Sequence, residues 1–216
     1  DIAQSLEDKV TVPISYESRL SNLQILSSDL DRIDSKFEAI TNGEDSERID
    51  RLKSKESSVE AVLTTTENMA KIANDIVTHF EGRLEAMDGK GMIVTMSRSM
   101  AAQLHDAIVE IRPDWYDEDD AKGQIKVIIT GKASETELQE HIRTKQKQKQ
   151  IQQRMKDPDD SLKVVIVCDM WLTGFDVPCL TTMYFLKYLT GHNIIQAISR
   201  VNRVYLDKPG GLIVDY

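Results

Sequence analysis

Hydrophobic and polar positions divide the first ninety residues of the chain into one strand and a series of helices. Apolar residues alternate with polar ones over residues 10–16, which predicts a half-buried strand: Val10, Val12, Ile14 and Tyr16. Apolar residues then recur every three or four positions in two stretches, residues 20–40 and residues 69–87. Each stripe predicts an amphipathic helix, and the highly charged residues 47–64 form a third candidate helix between them.

After Gly91 the pattern changes to short apolar runs separated by helical segments. The runs predict strands at residues 92–96, 125–129, 164–168, 181–186 and 212–214. The segments between them predict helices at residues 97–111 and 135–156, with a last helix before the final strand. Such alternation is typical of an α/β fold, in which a parallel sheet is covered by helices on both faces. Functional loops in this class collect at the carboxyl ends of the strands.

Two polar segments near the C-terminus carry the candidate chemistry. Residues 173–178 contain Gly174, which permits an unusual turn, and Asp176, whose carboxylate can accept a hydrogen bond from a ribose or pair with an arginine. The second segment has four polar residues spaced i, i+3, i+4, i+7, which predicts one helical face: Gln196, Ser199, Arg200 and Arg203. Two guanidiniums on one face form a receptor for phosphate. The alternatives are an ordinary loop with a capping aspartate and a solvated helix with weak surface ion pairs.

These residues resemble motifs V and VI of superfamily-two helicases and translocases. The wider sequence is similar to the motor (R) subunit of type I restriction-modification enzymes, through residues 12–19, 91–98, 164–179 and 192–216. The resemblance implies a RecA-like parallel sheet flanked by helices, preceded by a helical N-terminal extension. Residues 1–88 would form the extension and residues 89–216 the second RecA-like motor domain of a longer chain. Ser199 departs from the glycine that many relatives carry, but keeps the position small.

The resemblance also assigns roles to the candidate site. Gly174, Asp176, Gln196, Arg200 and Arg203 would contribute to an ATP site, with ATP and Mg²⁺ held mainly by a partner domain. Arg200 and Arg203 would be the catalytic residues, reaching the β- and γ-phosphates, with Arg203 as the arginine finger.

Candidate nucleic-acid contacts are Thr95, Ser97 and Arg98, which resemble motif IV, together with Thr173. Hydroxyls and amides at the end of a strand can hold a phosphate, although Ser97 is equally suited to cap the following helix. Residues 141–156 are basic and without acids, so they either follow a phosphate backbone or form a solvated helix face.

Composition limits the classes of function. The chain of 216 residues has a net charge of −9, so any contact with nucleic acid must be local or shared with other parts of the protein. It contains no membrane-spanning apolar run, secretory signal or histidine and cysteine spacing of a metal site, which predicts a cytoplasmic protein with no metal ligands of its own. Cys168 and Cys179 are expected to be inert thiols in a reducing compartment, and the alternative is a disulfide bond between them.

The sequence also lacks a phosphate loop, paired magnesium-binding acids and a nuclease constellation. It therefore predicts half of an ATP site, inactive alone, in a fragment of an ATP-dependent type I deoxyribonuclease and DNA translocase. The expected partners are double-stranded DNA, the first RecA-like and nuclease domains of the same chain, and the modification and specificity subunits. The alternatives are the matching half of another superfamily-two helicase acting in repair or on RNA, a non-catalytic subunit-docking module, and a small-molecule enzyme.

Overall fold

A computed structural model describes residues 11–19, 57–132, 134–168, 170–171, 174–187, 195 and 198–216. Its strands are β1 (Ile14–Ser18), β2 (Lys90–Thr95), β3 (Ile125–Ile128), β4 (Val164–Val167), β5 (Leu180–Leu186) and β6 (Gly211–Asp215). They form one sheet in the order β1-β6-β5-β2-β4-β3. Every pairing is parallel, which confirms the predicted α/β fold.

In the part of the chain that the structure describes, three α-helices and two 3₁₀ helices with full bounds accompany the strands. They are α1 (Thr66–Ala86), α2 (Arg98–Ile111) and α3 (Lys145–Lys156), with the 3₁₀ helices Pro113–Trp115 and Thr136–His141. Residues 57–63 and 198–201 are also helical. Thr65, Ser97 and Thr144 are the N-caps of the three α-helices, each accepting a hydrogen bond from a backbone N–H of the first turn.

Each face of the sheet has its own apolar cluster. On one face, α1 and α2 pack against strand residues that include Ile93 and Tyr184. On the other face, α3 and the loop between β4 and β5 pack against residues that include Met92 and Val165. Successive residues of a strand point to opposite faces, and because both faces are covered, β2, β4 and β5 are buried throughout. The sequence of β4 is wholly apolar, whereas β2 also contains Lys90 and Thr95, and β5 also contains Thr181 and Thr182.

Strand β1 lies at one edge and is fastened to α1 by a polar network. The Arg19 guanidinium donates to both carboxylate oxygens of Asp75 on α1, at 2.6 and 2.7 Å. The Tyr216 hydroxyl donates to the same carboxylate at 2.7 Å. β1 and α1 therefore share the sheet and core of the later strands, and the domain boundary near residue 88 stays a prediction.

Most elements lie where the hydrophobic pattern predicts them. The edge strand is an exception, since it begins at Ile14 and not at residue 10. The helix predicted over residues 135–156 is in fact two elements, because Thr144 caps a new helix after the 3₁₀ turn. The helix predicted over residues 20–40, and most of the charged one before residue 57, lie outside the described residues.

The two cysteines are free thiols, as expected of inert residues. Burial raises the pKa of the Cys179 thiol, so it is poorly ionised near neutral pH. In the part of the chain that the structure describes, no helix combines the length and apolar character needed to cross a bilayer.

Candidate nucleotide-site residues and their surroundings

The loop between β4 and β5 is held to the sheet by aromatic residues. Phe175 is buried, and its ring lies 4.3 Å from that of Trp171. Gly174, directly before it, has a φ of +69°, which favours glycine and explains why this residue type stands at the turn. Trp171 therefore packs within the protein, while the next residue after Phe175, Asp176, is exposed. Gln196 and Thr173 lie outside the described residues.

Both candidate arginines contact this loop. The Arg200 guanidinium donates to the Phe175 carbonyl oxygen at 2.7 Å. The Arg203 Nε lies 3.2 Å from the Asp176 carboxylate, with the two side chains 48% and 58% exposed. An ion pair so open to solvent is weak, typically below about 1 kcal/mol. The two polar segments singled out in the sequence are thus adjacent in space, with Arg203 accessible to an anion from outside.

The surroundings of Arg203 differ from the expectation in one respect. The described helix ends at residue 201, so Arg203 follows the helix and does not share one helical face with Arg200. Its backbone forms an isolated bridge with Thr11, and Val12 donates its N–H to the Asn202 carbonyl at 2.8 Å. Because Thr11 and Val12 precede β1 in a parallel sheet, Arg203 lies at the amino ends of the strands.

A buried lysine lies behind this segment. Lys208 is 6% exposed, and its ammonium donates to the carbonyl oxygens of Leu180, Val201 and Arg203 at 2.8, 2.7 and 3.1 Å. Desolvation lowers the pKa of Lys208 to about 8. The sequence carries no signal for this burial, since a lysine in a turn that also contains Asp207 and Pro209 is usually exposed.

The candidate nucleic-acid residues lie elsewhere, at the carboxyl end of β2. Thr95 is fully buried and its hydroxyl donates to the Ser97 carbonyl at 2.9 Å. The Ser97 hydroxyl caps α2 and also contacts Glu60. Arg98 makes a bidentate ion pair with Glu135, at 2.6 and 2.9 Å. Thr95 therefore lies at the end of the sheet opposite to Arg203, and the nucleic-acid role of Thr95, Ser97 and Arg98 stays a prediction.

The basic residues 141–156 divide into structural and exposed groups. Arg154 is buried and donates to the carbonyl oxygens of Asp120, Lys122 and Gly123. Arg143 pairs with Asp120. Four lysines of this stretch are exposed: Lys145, Lys147, Lys149 and Lys156. The four lysines form a solvated surface, whereas Arg143 and Arg154 bind other groups of the protein and stabilise its fold.

In the described part of the chain, one group of side chains has the composition of a metal site: His105, Asp106 and His141. The two buried imidazole rings are 4.8 Å apart and nearly perpendicular. Burial lowers the pKa of both, that of His141 to about 4, so they are neutral at pH 7. Asp106 is largely exposed, and its carboxylate lies 3.2 Å from the His105 Nδ1.

Comparison with known proteins assigns the chain to a family. The family model "Type I restriction enzyme subunit R domain 3" matches residues 9–216. The HindI endonuclease subunit of a type I restriction enzyme from Haemophilus influenzae is 42% identical over 220 residues, which is 100% of this chain and 20% of that protein. The chain thus spans about a fifth of the length of this curated relative.

Solved structures give the same fold at low sequence identity. A fragment described as an HsdR subunit of a type I restriction enzyme from Vibrio vulnificus YJ016 has a TM-score of 0.56 at 14% identity, covering 99% of this chain and 33% of that one. The Sulfolobus solfataricus SWI2/SNF2 ATPase core, solved with double-stranded DNA, has a TM-score of 0.55 at 11% identity, covering 94% and 40%. These likenesses confirm the expected RecA-like arrangement. By its sequence and its fold, the chain belongs to the family of type I restriction enzyme subunit R domain 3.

Proposed function

We propose that this chain is the second motor domain of a type I restriction enzyme R subunit and supplies Arg200 and Arg203 to an ATP site completed by another domain. The observation that carries the proposal is the contact of Arg203 with Asp176, beside the contact of Arg200 with the Phe175 carbonyl. Two guanidiniums and a carboxylate meet at a half-exposed surface, as a site closed by a second domain requires. Membership of the family supports the same role.

The arginines suit different tasks. Arg200 is fixed by the carbonyl of a buried loop residue, so its guanidinium is oriented before any ligand arrives. Arg203 has a weak, solvent-exposed partner, so an incoming phosphate can replace the carboxylate at little cost. A planar guanidinium that meets the growing charge of a transferring phosphoryl group lowers the barrier to its transfer.

The residues of this chain could contact one part of a nucleotide, the ribose. Gly174 and Asp176 offer an open turn and an exposed carboxylate, which suit the ribose side of the site, and Gln196 is proposed to position groups there. ATP with Mg²⁺, held mainly by the first RecA-like domain, would supply the phosphoryl group. The part of this chain would be to orient and neutralise charge as the domains close.

The proposed motor acts on double-stranded DNA in the cytoplasm, with the nuclease domain and the modification and specificity subunits as partners. Ser97, Arg98 and Thr173 are the proposed contacts to the DNA backbone, whereas Thr95, which the sequence also suggested as a contact, is fully buried and cannot reach it. Because Arg98 is paired with Glu135 and Thr95 is buried, DNA binding would open the ion pair, while Thr95 would act by supporting the loop.

The test is Arg203→Ala in the full-length subunit. We expect a loss of DNA-stimulated ATP turnover and translocation of about 10³–10⁵-fold, with nucleotide binding largely retained, because the arginine acts mainly in the transition state. Arg203→Lys should rescue poorly, since an ammonium lacks the planar fork. Arg112→Ala is the matched control, because Arg112 also pairs with a partly exposed carboxylate, that of Glu81.

Stopped-flow ATPase and nucleotide-binding measurements on folded variants separate the possible outcomes. Near-normal turnover in Arg203→Ala would remove the finger assignment and favour a non-catalytic docking role. Equal losses in Arg203→Ala and Arg112→Ala would indicate general destabilisation.

A further inference from the structure

A buried ammonium holds the backbone on which Arg203 is carried. The Lys208 side chain is 6% exposed, so its three N–H groups must be satisfied within the protein. They donate to the carbonyl oxygens of Leu180, Val201 and Arg203. Leu180 is the first residue of β5, and Val201 and Arg203 lie at the end of the helix of residues 198–201. The Lys208 side chain therefore connects β5 to residues 201–203.

The end of this helix depends on such donors. The last carbonyls of a helix have no intrahelical partner, and a cation there is also favoured by the helix dipole. Here the three successive carbonyls of Val201, Asn202 and Arg203 accept from Lys208, from the Val12 N–H and again from Lys208. Lys208 therefore supplies two of the three donors that fix this turn.

The turn that delivers Lys208 is itself constrained. Lys208 donates its backbone N–H to the Tyr205 carbonyl at 3.0 Å, which closes residues 205–208. Leu206 within that turn is 81% exposed and has a φ of +43°, a conformation that leucine rarely adopts. An exposed leucine side chain does not favour a positive φ, so the surrounding contacts, including those of Lys208, must stabilise the conformation of Leu206.

Within the described residues, the Arg203 side chain pairs with the exposed Asp176 alone, and because this pair is weak, the position of the side chain depends on its backbone. A displacement of about 1 Å in a group that acts on a reacting centre can slow a reaction on the order of 100-fold. We propose that Lys208 is a positioning residue that fixes the backbone of Arg203 and so sets where its guanidinium meets the nucleotide. This inference rests on the function proposed above for Arg203.

The experiment measures DNA-stimulated ATP hydrolysis by the full-length subunit in its assembled complex. Lys208→Met removes the ammonium donors and keeps a side chain of similar length. We expect kcat to fall about 100-fold with KM nearly unchanged, because bound nucleotide meets a misplaced arginine. Lys126→Met is the matched control, since Lys126 is 3% exposed and its ammonium also donates to backbone carbonyls, those of Asp117 and Asp119. It lies on β3, at the opposite edge of the sheet, and should leave kcat at the wild-type value.

A double variant distinguishes positioning from an independent role. Arg203→Ala combined with Lys208→Met should be no slower than Arg203→Ala alone, because an absent guanidinium cannot be misplaced. If Lys208→Met does not fold, Lys208→Gln, which keeps N–H donors without a buried charge, carries the same test with a smaller loss of kcat. A wild-type kcat in the folded Lys208 variant, a fall matched by Lys126→Met, or a further fall in the double variant would overturn the inference. Wild-type turnover in Arg203→Ala would instead overturn the proposed function.

Discussion

The exposed Asp176–Arg203 pair makes the clearest quantitative prediction. The Arg203 Nε lies 3.2 Å from the carboxylate, and roughly half of each side chain is open to solvent. Exposed pairs of this kind contribute about 0.2–1 kcal/mol, because water and salt screen the attraction and two long side chains lose freedom. An arginine finger that leaves such a partner sacrifices at most about fivefold in equilibrium. In the proposed mechanism, the pair would therefore hold Arg203 between turnovers without opposing its transfer to a phosphate.

We expect Asp176→Asn to shift the melting temperature little and to change kcat by no more than about fivefold through Arg203. A double-mutant cycle with Arg203→Ala, scored by thermal unfolding, should give a coupling energy below about 1 kcal/mol. Glu137→Gln, which neutralises another exposed acid, controls for the change in net charge. DNA-stimulated ATPase activity is measured on the four proteins of the cycle and on Glu137→Gln. The value of KM is determined separately, since the loss of a ribose contact would raise KM and leave kcat unchanged.

Two results would refute this reasoning. A coupling energy of about 3 kcal/mol or more would mean that the pair is effectively buried in the assembled protein. A fall in kcat of more than about 100-fold in Asp176→Asn would show that the carboxylate does more than hold the arginine.

Two further predictions concern stability, and both can be followed by the fluorescence of buried Trp115 during chemical unfolding. Asp75→Asn should cost about 3 kcal/mol, because Arg19 and Tyr216 lose their charged acceptor in a largely buried network; a loss below about 1 kcal/mol would contradict that account. His141, whose pKa is lowered to about 4, is neutral in the folded protein while the unfolded chain binds a proton near pH 6.5. The contribution of His141 to the free energy of unfolding is fully present above pH 6.5 and is lost as the pH falls towards 4, by up to about 3 kcal/mol. His141→Gln should flatten this dependence of stability on pH. An unchanged pH profile would show that another group is responsible.

The hydrophobic pattern predicted the parallel sheet because strands β2 to β5 are buried on both faces and contain short apolar runs, whereas the edge strand β1 is half-exposed and shows an alternating pattern. The pattern also located α1 and α2, whose apolar stripes and caps are local features. The proximity of Asp176 to Arg203 followed from the resemblance of two motifs, since spacing alone left a solvated helix as an alternative.

The remaining features depend on contacts between distant residues. Arg203 was predicted on a helix because its spacing fits one, but the helix ends at residue 201 and the Arg203 backbone forms a bridge with the distant Thr11. Arg98 looked available to a phosphate until the fold brought Glu135 to it. Lys208 gave no signal, because its burial arises from strands and loops that meet only in the folded protein.

The edge position of β1 has a consequence for biosynthesis. The hydroxyl of Tyr16 on this strand donates to the Asp215 carboxylate on β6, 199 positions later in the chain. At a translation rate of about 5–20 residues per second, roughly 10–40 s separate the appearance of the two partners at the ribosome. During that interval β6, the strand that pairs with β1 among the described residues, has not yet been synthesised, and the nascent chain carries an open strand that other polypeptides can bind. Substitutions in β1 should therefore change the chaperone dependence of folding, and the sensitivity of the yield of folded protein to the speed of translation. Substitutions at the proposed nucleotide site should change these two properties less.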